Sequence, residues 1–182
     1  PSLEEFLAFA QEWFKAAHRG QPGSTSGGLA EHFFHLELKS NPLEDQEQLG
    51  ERMLACVLPV LRQGEVLQRC CLRAFDHRLL RQAKELEPRL QTGVLISGTA
   101  PCDPVSLMRS ALADWYFPEY RWVDAGLLDA LRQAGIGVQV WTANDAQAWE
   151  QLLNLGLVGL GVTTDVPDEL LAWPACLPGS TG

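Results

Sequence analysis

Apolar and charged side chains alternate along His35-Leu36-Glu37-Leu38-Lys39. That period of two predicts a short strand over 35–39. Leu36 and Leu38 face one way, and His35, Glu37 and Lys39 the other. Upstream, Leu3, Phe6, Leu7 and Ala10 recur at helical spacing, and Ser2 and Glu5 stand where a capping box needs them. A helix is therefore predicted over 2–17, followed by a Gly/Ser-rich surface loop over 20–28.

Beyond that strand the same alternation of strand and helix repeats. Leu49, Met53, Cys56, Val57 and Val60 form one apolar face of a helix predicted over 44–61. A strand centred on 70–73 precedes a helix over 77–86, which Pro88 closes. Short apolar runs predict further strands at 93–97, 115–117, 137–142 and 158–163. Helices are predicted between and after them at 105–113, 125–135, 145–154 and 168–173, with Gly135 as a C-terminal cap. Short apolar strands separated by helices predict an α/β fold with a parallel sheet. The spacing suits a (β/α)8 TIM barrel, with six of its eight βα units present. A complete barrel needs about 250 residues. This chain has 182 and opens on Pro1, so a single barrel domain over 1–182 is expected to lack its first two units. The strand edges left open by that loss are expected to make the isolated chain fold poorly or associate, for instance as a homo-oligomer. An open doubly wound sheet also satisfies the periodicity, but no Gly-rich phosphate fingerprint follows a strand.

Composition narrows the class. The chain is 46% hydrophobic and 20% charged, as expected of a globular domain. Its net charge of −9 argues against nucleic acid or an anionic membrane surface as the main partner. A small anionic substrate stays open, because a metal or a basic pair overrides the global field locally. No transmembrane run and no signal peptide are visible. The five cysteines are Cys56, Cys70, Cys71, Cys102 and Cys176, an odd number without CxxC spacing. They read as reduced, mostly buried thiols of a cytoplasmic protein.

Several segments, in order, resemble the glycerophosphodiester phosphodiesterase family. They are Pro1-Ser2-Leu3-Glu4-Glu5-Phe6-Leu7, His35-Leu36-Glu37-Leu38-Lys39 and Ala74-Phe75-Asp76. Val138-Gln139-Val140-Trp141-Thr142 with Asn144, and then Gly159, Thr164, Asp165 and Pro167, complete the series. The resemblance implies a TIM barrel that hydrolyses glycerophosphodiesters to glycerol 3-phosphate and an alcohol, using a divalent metal, Mg²⁺ or Ca²⁺, and two histidines. It implies Glu37 as a metal ligand, and Lys39, one pleat further along the same face, is the candidate catalytic residue that steadies the phosphate. Phospholipid-derived diesters are the implied substrates, which ties the family to lipid and glycerol metabolism. Trp141 and Phe75, at strand ends, are candidate substrate contacts, although both also suit packing.

The bland alternative for Glu37 and Lys39 is an ion pair at a strand end. His18-Arg19-Gly20 spells the family's first catalytic motif but follows a helical stretch, so a coincidental helix end is expected. Asn144 and Asp145 read as helix caps and Asp165 as structural. His32, His77 and the cysteines lack ligand spacing, and the remaining tryptophans read as core or interface. The alternative function is a catalytically inactive barrel remnant that binds a ligand or partner. Its support is the lack of the family's remaining catalytic residues.

Overall fold

The computed structural model describes residues 1–17, 33–40, 46–156 and 160–174. The helix α1 (Leu3–Ala17) comes first. Six strand–helix units follow. They are β1 (Phe34–Glu37) with α2 (Gln46–Gln63), β2 (Cys70–Ala74) with α3 (His77–Leu86), and β3 (Gln91–Ile96) with α4 (Pro104–Ala111). The last three are β4 (Trp115–Pro118) with α5 (Ala125–Gln133), β5 (Gly137–Val140) with α6 (Ala146–Asn154), and β6 (Leu160–Val162) with α7 (Pro167–Ala172). The α/β alternation read from the sequence is thus present, with six units among the described residues. The chain packs as two compact units, Pro1–Thr92 and Gly93–Gly182.

In the first unit the expected capping box forms. Ser2 N–H donates to Glu5 Oε2 at 2.7 Å, and Glu5 N–H donates to Ser2 Oγ at 3.2 Å. Leu7 and Ala10 are buried, whereas Phe6 stays 42% exposed and sets its ring edge-on to Phe34. β1 pairs in parallel with β2, with Glu37 opposite Arg73. Cys70, Cys71, Leu72 and Ala74 are all fully buried, which is why β2 reads as a continuous apolar run. Among the described side chains of α2, Leu54, Leu58 and Leu61 are buried, whereas Met53, Val57 and Val60 of the expected stripe are half-buried. Cys56 is exposed. Both stripes have helical spacing, and only packing selects between them. The thiols are correspondingly less buried than expected, since Cys102 is exposed too.

In the second unit β3, β4, β5 and β6 pair successively in parallel. Asp103, Asp124 and Asp145 cap α4, α5 and α6 by accepting N–H bonds from Ser106, Leu127 and Ala148. Gly135 follows α5 at φ +73°, the left-handed geometry a terminal glycine supplies. Tyr116, Phe117, Leu131 and Leu152 anchor the core. No helix among the described residues is long and apolar enough to cross a membrane.

Candidate functional site

At the C-terminal end of β1, the strand stops at Glu37, two residues short of the expected limit. Leu38 N–H still bonds Arg73 O at 2.9 Å, the last ladder bond between the two strands among the described residues. Lys39 therefore lies beyond the strand instead of one pleat along it. Its side chain is 81% exposed, and Nζ lies 3.9 Å from Glu37 Oε1, whose side chain is 24% exposed. The ion pair of the bland reading is present, but it is long and solvated, so it holds Lys39 weakly. Phe75, one residue past β2, is 48% exposed. In this unit the ends of β1 and β2 thus present a half-buried carboxylate, an exposed ammonium and a half-exposed aromatic ring. His35 is half-buried within β1. Burial, and then the Arg73 charge, push its imidazole below its ordinary value, so it is neutral at neutral pH.

In the second unit, Trp141 follows β5 and forms an isolated bridge with Glu119, which follows β4. Trp141 N–H donates to Pro118 O at 3.1 Å, and Tyr120 N–H donates to Trp141 O at 2.8 Å. The indole Nε1 donates to Phe117 O at 2.8 Å, which fixes the ring. Trp141, Thr142, Glu119, Tyr120 and Arg121 line a cavity of about 280 Å³ at these strand ends. Glu119 is the residue that sequence reasoning overlooked. Its Oε1 accepts from Ser97 Oγ at 2.7 Å and from Gly98 N–H at 2.8 Å, and its Oε2 accepts from Arg121 at 3.1 Å. The Ser97 bond first, then the Gly98 and Arg121 bonds, hold its carboxyl below the usual carboxylate range. With both oxygens engaged, Glu119 anchors the turn after β3 and aims Arg121. Arg121, Tyr120 and Thr142 add further polar groups to the cavity lining. The only sequence signal was one acid directly after a strand.

Asn144 does not cap α6, contrary to expectation; Asp145 alone does. Asn144 instead donates to Asp165 Oδ2 at 2.8 Å and accepts from Asp165 N–H at 2.8 Å and Thr164 Oγ1 at 3.1 Å. It ties the turn after β5 to the turn after β6, and Asp165 is structural in this contact. Trp149 is buried and donates to Ala143 O at 2.8 Å, with Trp173 packed on it. Burial pushes the Cys70 thiol up to about 12, which leaves it unreactive. His18, His32 and Cys176 lie outside the described residues.

A divalent metal needs several converging oxygen ligands. Among the described residues no group of three or more His, Cys, Asp or Glu side chains could hold one. Glu37 offers one carboxylate, faced by Lys39 and set opposite Arg73. These residues alone do not fit a metal.

The sequence profile of the Glycerophosphoryl diester phosphodiesterase family matches residues 33–169. No curated protein sequence matches the chain. A candidate glycerophosphoryl diester phosphodiesterase from Silicibacter pomeroyi DSS-3 is 25% identical, with a TM-score of 0.70 over 91% of this chain and 52% of that one. A glycerophosphodiester phosphodiesterase from Parabacteroides distasonis shares the fold at 18% identity, with a TM-score of 0.70 over 94% of this chain and 63% of that one. A phosphodiesterase from Oleispira antarctica, solved with the product sn-glycerol-3-phosphate, is similar at 23% identity, with a TM-score of 0.63 over 77% of this chain and 54% of that one. The chain thus spans 52–63% of the length of these structures.

Proposed function

The chain belongs to the glycerophosphoryl diester phosphodiesterase family, and on that premise we propose that it serves the hydrolysis of glycerophosphodiesters to glycerol 3-phosphate and an alcohol. The family match across 33–169 carries this reading. The similar Oleispira phosphodiesterase, which holds sn-glycerol-3-phosphate, supports the product.

In this reaction water attacks phosphorus, the P–O bond to the alcohol breaks, and the alcohol leaves with a proton. The phosphate needs positive charge beside it throughout. Lys39 is suited to that task, because its ammonium is exposed and only loosely held by Glu37. Glu37 is our candidate for one carboxylate of a divalent-metal site, with Mg²⁺ or Ca²⁺ as hard ions that favour oxygen. The rest of that ligand set would have to come from outside the described residues. Trp141 and Phe75 are proposed to contact the glycerol or the headgroup with their apolar faces. Phospholipid-derived diesters and a cytoplasmic setting complete the reading. Buried, unreactive Cys70 accords with reduced thiols.

The test is release of glycerol 3-phosphate from a glycerophosphodiester, with and without EDTA. We expect EDTA-sensitive release by the protein. Glu37→Ala should abolish that release, and Lys39→Ala should lower it by a factor of about 10²–10³, as for one electrostatic donor. No release from any glycerophosphodiester would overturn the proposal and favour the binding-module alternative.

A further inference from the structure

The opposite strand ends of the first unit hold a second cluster that the phosphodiesterase reading does not use. Arg62 lies in the last turn of α2, and Arg69 ends the 3-10 turn Leu67–Arg69 that leads into β2. Glu87 follows α3, and Arg89 precedes β3. Arg62, Arg69 and Arg89 line a cavity of about 340 Å³ together with Glu65, Leu67 and Gln68. The cavity sits at the N-terminal end of β2. Glu37 sits at the C-terminal end of the parallel neighbour β1. The length of a strand, about 15 Å, therefore separates the two places.

Glu87 is 7% exposed and organises the cluster. Arg62 Nε donates to its Oε2 at 3.2 Å, and Arg89 Nε donates to its Oε1 at 3.3 Å. One buried carboxylate thus holds two guanidinium groups through Nε. Arg69 adds a third from another side. Its Nη2 reaches Glu65 O at only 3.4 Å, and its buried Nη1 has no hydrogen-bond partner. A buried, charged donor without an acceptor is costly and calls for an acceptor to complete it. Three guanidinium groups against Glu65 and Glu87 leave a local positive excess in a chain of net charge −9.

We propose that this cavity binds a small phosphate-type oxyanion, either inorganic phosphate or the phosphate of a phosphomonoester. A tetrahedral phosphate offers several acceptor oxygens in different directions, which matches forks arriving from three chain segments. The volume admits a phosphate with a few attached atoms. The proposal stands independently of the catalytic reading, because it uses neither Glu37 nor the cavity at Trp141.

Calorimetric titration in EDTA at low salt tests it, with inorganic phosphate in one arm and methyl phosphate in the other. We expect saturable binding with a Kd of about 1 mM or tighter. Arg69→Gln and Arg89→Gln should each weaken binding at least about tenfold, the scale of one lost charge-assisted bond. Arg132→Gln, an exposed control in the other unit, should leave it unchanged. Preference for methyl phosphate identifies a phosphomonoester site, and equal or better binding of inorganic phosphate identifies a site for the free ion. Absence of saturable binding in both arms overturns the proposal, as does an affinity unchanged in both arginine variants. Arg89, with a side chain 67% exposed, is the variant least able to disturb folding, and thermal melting without ligand checks both.

Discussion

Glu119 shows how a single residue acquires its role from partners far along the chain. Its carboxyl accepts bonds from Ser97, Gly98 and Arg121, and these keep it ionised below its ordinary value of 4.5. In the unfolded chain the group returns to that value. Between the folded and unfolded values the unfolded chain binds more protons, so stability rises with pH there. The contribution is full above 4.5 and is lost as pH falls through the folded value. Glu119→Gln removes this linkage. Urea melts between about pH 3 and 6 should show a shallower acid flank for the variant, and an identical flank would refute the role given to these bonds. Glu37 differs in kind. Its alternation with Leu36 and Leu38 was legible from neighbours, because a carboxylate between apolar residues on a strand is a local pattern. Glu119 was not legible, because Ser97 and Gly98 precede it by 22 and 21 residues.

At the scale of elements, local chemistry was read well where it is local. The Ser2–Glu5 capping box, the Asp145 cap and Gly135 after α5 all rest on groups within a few residues. The β4–β5 pair depends on something else. Gly137 stands opposite Trp115 in the parallel register. A Cβ added at Gly137 would lie 2.5 Å from Trp115 Cε3, inside the ring's contact distance. Gly137→Ala should therefore displace the indole or the strand and cost about 1–3 kcal/mol, measurable by chemical denaturation. A wild-type midpoint would show that the ring moves without cost. Asn144 teaches the complementary lesson. It looked like a cap because it precedes a helix, yet its side chain bonds Thr164 and Asp165, some twenty residues on.

For the molecule as a whole, the two compact units each carry their own buried centre, and in both it is built from strand and helix residues of neighbouring units of the repeat. Leu131 on α5 is fully buried. Leu131→Ala should cost about 2–5 kcal/mol, seen as a lowered calorimetric midpoint, and a change under about 1 kcal/mol would mean that the site collapses around the smaller side chain. The sequence by itself determined the alternation of strand and helix, the family and the carboxylate at the end of β1. These rest on short-range periodicity, on capping groups and on motifs in a fixed order. Only the tertiary structure decided which stripe of α2 is buried, what Asn144 and Glu119 bind, and that Arg62, Arg69 and Arg89 surround one cavity. Each of those outcomes depends on side chains brought together from distant positions by parallel pairing and close packing, and no local pattern along the chain encodes such a meeting.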